Sequence, residues 1–144
     1  MPLKLSLRPG EKFVVNGAVM QNGDRRAALS LKNRASILRE KDIMLPEDAQ
    51  TPARRIYFPV MLLYLGEGVV EDVYAEFAAR LAEFMGAIRD PDILAECVGV
   101  SRDVMMGEHY RALMRCRKLI AYETEKLEAA SDVDPGLSAR GRAG

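Results

Sequence analysis

PLKLSLRPGEKFVVNGAVMQNGDRRAALSLKNRASILREKDIM, residues 2–44, is the stretch whose reading decides the fold. Leu3, Leu5 and Leu7 alternate with Lys4, Ser6 and Arg8, the two-residue period of a strand with one buried face. Pro9-Gly10 stops that strand. Phe13-Val14-Val15 runs into Asn16-Gly17, the strongest short signal for a two-residue hairpin turn. Ala18-Val19-Met20 then leads to a second turn at Gln21-Asn22-Gly23-Asp24. Ala27 to Leu31 and Ala35 to Arg39 are further apolar runs, turned at Lys32-Asn33-Arg34. The spacing predicts four to five short strands in a meander or small barrel. A sheet of this size buries too little to stand alone, so helices or a second subunit must cover its apolar face.

Charge divides the chain in the same place. Residues 1–45 hold nine Lys and Arg (Lys4, Arg8, Lys12, Arg25, Arg26, Lys32, Arg34, Arg39, Lys41) against Glu11, Asp24, Glu40 and Asp42, a net of +5. The whole chain has 21 basic and 21 acidic side chains, so residues 46–144 carry 12 and 17, a net of −5. A basic sheet suits a nucleic-acid backbone, because displacing counterions from phosphate drives association. The same lysines and arginines also suit a solvated strand face.

The remainder reads as helical. Residues 44–54, MLPEDAQTPAR, form a linker bracketed by Pro46 and Pro52. A first helix follows through Leu65, with Thr51 as cap, Pro52 in its first turn and Pro59 expected to kink or restart it. Val69 to Ile88 is amphipathic, with Glu71, Asp72 and Glu76 early, where the helix dipole favours acids. Asp90-Pro91 caps and opens the next helix, which is expected to stop at Gly99. Ser101 would cap another, running mostly helical to Leu127 with Gly107 weakening it. The chain is therefore expected to be α+β: a small N-terminal antiparallel sheet over residues 1–45, then three to four helices over 46–129 for packing, dimerisation or partner binding. Residues 130–144, small, polar and Gly-rich, are expected to be a disordered tail.

Other classes find little support. The opening MPLKLSLRPGEK lacks an uninterrupted apolar run, and the longest such run, Val60 to Leu65, is far short of a bilayer span. A cytoplasmic chain with reduced thiols at Cys97 and Cys116 is expected, and those cysteines read as buried helix-face residues rather than a metal site. His109 is the one histidine, and no nucleophile elbow, phosphate loop or paired Cys/His motif accompanies it. No catalytic residue, metal ligand or cofactor is assigned.

PLKLSLRPGEKFVVNGAV, the SILREKDIM stretch, TPARRIYFP and YLGEG, in this order, resemble the flagellin-regulator family FlbT. The resemblance covers roughly residues 1–129. It implies a post-transcriptional regulator that acts on the 5′ untranslated region of flagellin mRNA, usually lowering translation or stability, often together with the small flagellar regulator FlaF. LSLRPGEKFVVNG and ASILREKDI are also distantly similar to the carbon storage regulator family, CsrA, whose two chains interleave their first and last strands around RNA. That similarity implies a homodimer and places Leu5, Ser6 and Arg8 on a first-strand side of an RNA site and Ile37, Leu38 and Arg39 on its last-strand side. With Lys4, these are the candidate RNA-binding residues. Arg39 is foremost, because a guanidinium stacks on a base or holds phosphate and base edge together. Leu7 stands where that family tends to have a second Arg, and the long helical part has no counterpart there.

Two further basic groups are accessory candidates for RNA or partner contact. Arg54 and Arg55 stand beside Tyr57 and Phe58, either as a stacking patch or as a helix start with packed aromatics. Arg111, Arg115 and Lys118 share one face of the last helix, either extending an RNA surface or pairing with the acids of residues 71–83. The rival to RNA binding is a protein-interaction adaptor that acts through another flagellar protein.

Overall fold

The computed structural model describes residues 3–133. Its strands are β1 (Leu3–Leu7), β2 (Lys12–Val15), β3 (Ala18–Gln21), β4 (Ala27–Leu31) and β5 (Ile37–Arg39). Two 3-10 turns, Glu40–Asp42 and Pro46–Asp48, lead to helices α1 (Arg54–Leu65), α2 (Val70–Ala87), α3 (Pro91–Met105) and α4 (His109–Val133). The α+β organisation follows the sequence expectation, with four helices.

The strands form two antiparallel layers. β1 pairs with β4, from Leu3 opposite Leu31 to Leu7 opposite Ala27. β2 lies between β3 and β5, with Val14 opposite both Val19 and Leu38. Both pairings close within the one chain described. Strand alternation then builds two cores. Phe13 and Ile37 face the β1–β4 ribbon and join Leu5 and Leu7. Val14 and Leu38 point to the other side and join the helical core of Ile56, Val60, Leu113 and Leu119. Asn16 and Gly17 both take positive φ, as the tight β2–β3 turn requires. The Asn22 amide donates 2.8 Å bonds to the carbonyls of Arg8 and Arg25, so the turn before β4 is pinned to the end of β1.

The helices hold the middle sheet through side-chain bridges. The Tyr57 hydroxyl donates to the Asp42 carbonyl at 2.7 Å, and Arg117 of α4 forms an ion pair with the Asp42 carboxylate. The Tyr64 hydroxyl accepts from the Ile37 N–H at 2.8 Å and donates to the Ile37 carbonyl at 2.9 Å, closing the outer edge of β5.

Three helix boundaries differ from expectation. α1 passes through Pro59 without restarting, and Pro59 is buried within it. Gly99 does not stop α3: a Cβ there would stand 2.6 Å from Arg115 Nη1, so the glycine leaves a notch for that guanidinium. Ser101 therefore lies inside α3, and the break comes at Met106-Gly107-Glu108. α4 extends to Val133, so residues 130–133 of the expected tail are helical, and residues 134–144 lie outside the described residues.

Candidate nucleic-acid interface

β1 divides the candidate residues between two faces. Leu5 points into the strand core and is 8% exposed, whereas Lys4, Ser6 and Arg8 point outward. On that outer face Lys4 stands opposite Ser30 and Ser6 opposite Ala28. Arg26, immediately before β4, reaches the Ser6 hydroxyl at 3.4 Å. The result is a floor of exposed small side chains, Ser6, Ala28 and Ser30, with Lys4, Arg8 and Arg26 standing around it. Cations around a flat, uncrowded floor can contact phosphates without steric conflict. Arg26 was not among the candidates, since only the non-local β1–β4 ladder brings it beside Arg8.

Arg39 is engaged by Glu11. Its Nε donates to Glu11 Oε2 at 3.1 Å and its Nη2 to both carboxylate oxygens at 3.0 Å, and Nη2 also reaches the Ser6 carbonyl at 2.6 Å. Glu11 is 4% exposed and also accepts from the Arg8 N–H at 2.9 Å. That backbone bond is the main force holding the Glu11 carboxyl below its ordinary value; desolvation opposes it, and Arg39 lowers it further. The fork of Arg39 thus joins β1, the following turn and β5. Its Nη1 has no hydrogen-bond partner among the described residues and is free to donate.

The other candidates separate. Leu38 is 1% exposed and belongs to the helical core, facing away from the RNA-candidate side chains. Leu5, Ile37 and Arg39 line one cleft of ≈ 500 Å³, between the strands and α4, whose other walls include Lys41, Tyr110 and Arg117. A second cleft of ≈ 320 Å³ gathers Lys41, Arg54 and Arg117. Arg55 is exposed, while Tyr57 is buried, so packing rather than stacking explains that aromatic.

The basic face of α4 pairs with α3. Arg115 Nε bonds Asp103 at 2.8 Å and its Nη1 bonds Glu96 at 3.0 Å, and Lys118 approaches Glu96 at 3.4 Å. Arg111 lies 3.4 Å from Glu108. The expected acidic partner, residues 71–83, instead keeps Arg80 between Glu76 and Glu83. Arg115 is thereby a structural residue, while Arg111 and Lys118 remain exposed.

The remaining reactive groups are buried. Cys97 and Cys116 are free thiols, and burial pushes Cys97 up to about 11 and Cys116 higher still. Among the described residues, no group of three or more His, Cys, Asp or Glu is placed to hold a metal ion, and no helix is long and apolar enough to cross a membrane.

A family model described as flagellar protein FlbT matches residues 3–127. The chain belongs to the FlbT family. It is 65% identical over 127 residues to the probable flagellum biosynthesis repressor protein FlbT of Caulobacter sp. (strain K31), covering 88% of this chain and 97% of that one. It is 60% identical over 144 residues, the full length of both chains, to the flagellum biosynthesis repressor protein FlbT of Caulobacter vibrioides (strain ATCC 19089 / CIP 103742 / CB 15). The probable FlbT of Rhodopseudomonas palustris (strain TIE-1) is 36% identical over 129 residues, covering 88% and 98%. No solved structure matches.

Proposed function

We propose that this protein is a cytoplasmic repressor of flagellum biosynthesis that binds the 5′ untranslated region of flagellin mRNA and lowers its translation or promotes its decay. The repressor role follows its similarity to relatives bearing that name. The observation that carries RNA binding is the outer face of the β1–β4 ribbon, where Lys4, Arg8 and Arg26 surround a small-residue floor. Such a face contacts phosphates and fixes register, while the cleft lined by Arg39 is the place for base contacts. A homodimer suits the chain because β3 is an edge strand whose four residues, Ala18 to Gln21, are exposed and uncharged. The small flagellar regulator FlaF is the protein partner that the family implies. The test is binding of the purified chain to a flagellin leader RNA at two salt concentrations. Affinity that falls steeply with salt supports the reading, and no binding by folded protein removes it.

A second reading, an adaptor without RNA contact, is favoured by a different surface. Val98, Met105 and Met106 are 54%, 81% and 72% exposed. They line a mainly apolar cleft of ≈ 420 Å³ with Leu81 and Met85. Flexible methionines there suit the apolar face of a partner helix.

A further inference from the structure

We infer that a single strand of RNA runs along a trough between β5 and the start of α4, with one base stacked on Tyr110. This rests on the RNA-binding reading and goes beyond it by assigning the path and the stacking residue.

Two clefts make the trough. The one of ≈ 500 Å³ that holds Arg39 and the neighbouring one of ≈ 480 Å³ share Ala35, Tyr64 and Tyr110 in their walls. Arg39, Lys41 and Arg117 stand at one end, and Arg34 and Arg111 at the other. The carboxylates in those walls are Asp42, already paired with Arg117, and Glu108, beside Arg111. Cations at both ends with aromatic rings between them is the arrangement that tracks a phosphate backbone and stacks bases.

The aromatic pair is preorganised. The Tyr64 and Tyr110 ring centroids lie 5.4 Å apart at 49°. Tyr64 is fixed by its two bonds to the Ile37 backbone, so it braces Tyr110, which is 46% exposed. His109 lines the second cleft, and its Nε2 is buried with no hydrogen-bond partner among the described residues.

The same geometry argues against a peptide. An extended peptide would add to the outer edge of β5, but Tyr64 already occupies both backbone groups of Ile37 there. A duplex does not fit either, because its bases are stacked inside and cannot reach Tyr110.

The experiment compares the full chain with Tyr110→Ala, Tyr110→Phe and a Lys4→Ala, Arg8→Ala double variant. The probes are a flagellin leader RNA, single-stranded and annealed to its complement. Tyr110→Ala is expected to weaken single-strand binding by roughly 10- to 100-fold with the slope of affinity against salt unchanged, whereas Tyr110→Phe binds like the parent. The double variant is expected to flatten that slope. Parental affinity in a folded Tyr110→Ala chain overturns the trough while leaving the RNA reading intact, as does equal affinity for the duplex. Loss of a protein partner, rather than of RNA, in Tyr110→Ala also overturns it. No RNA binding by the parent removes the underlying reading as well.

Discussion

The Arg115 guanidinium of α4 lies in the notch of Gly99 on α3, where an added Cβ would stand 2.6 Å from Nη1 and 2.8 Å from Cζ. The same guanidinium pairs with Asp103, whose side chain is 4% exposed. Gly99→Ala would ordinarily favour a helix. Here the Arg115 guanidinium, the end of a flexible side chain, must shift and loosen its pair with Asp103. The helix gain of the alanine is therefore offset, and a net loss of no more than about 1 kcal/mol is expected. Arg115→Ala should cost more, roughly 1–3 kcal/mol, because it leaves the nearly buried Asp103 without its partner, and the double variant should cost less than the sum of the two. Denaturant melts of the three variants check this.

Glu11 and Arg39 give the strand layers a pH dependence. The Glu11 carboxyl is held below its ordinary value of 4.5, first by the Arg8 N–H and then by Arg39. A lowered carboxyl contributes stability that is complete above the ordinary value and is lost as pH falls through the lowered one. Glu11→Gln is therefore expected to melt lower than the parent at neutral pH, with the difference narrowing in acid. Thermal melts across that range test it, and a constant difference would contradict it.

Tyr64→Phe removes both bonds to the Ile37 backbone while keeping the ring. Each hydrogen bond of this kind contributes about 1 kcal/mol. The loss should appear locally, as faster hydrogen exchange at the Ile37 amide, while amides of the α1–α4 core keep their protection.

Arg8 and Arg26 stand on the outer face of the ribbon, where the proposed RNA binding would use them as phosphate contacts. Replacing either with Ala is expected to lower affinity for all RNA sequences alike and to reduce the salt slope by about 1. Arg39→Ala differs, because it also removes the partner of a nearly buried carboxylate. Its binding defect must be read beside its melting temperature.

Met105→Lys with Met106→Lys alters the exposed α2–α3 cleft. Stability should stay within about 0.5 kcal/mol of the parent, as for most surface changes. RNA affinity should be unchanged or slightly higher. Loss of flagellin regulation with RNA binding intact would establish the adaptor role for that surface.

The sequence by itself determined which segments become strands and helices. The alternation of Leu3, Leu5 and Leu7, the Asn16-Gly17 turn and the Asp90-Pro91 cap are local signals, and each acts within a few residues. The motifs resembling FlbT also carried the family. Local signals misjudged Gly99 and the partners of Arg115, because a glycine in a helix is weakening until a guanidinium from another helix needs its space. Only the tertiary structure decided that β1 pairs with β4, which sets Arg26 beside Ser6 and turns Lys4, Ser6 and Arg8 away from Leu5. It also buried Leu38, gave Arg39 to Glu11, and brought Tyr64 and Tyr110 together across 46 positions of chain. Those outcomes depend on which surfaces meet once the layers stack, and contacts so distant in sequence are chosen by burial and charge pairing in the whole fold rather than by any local pattern.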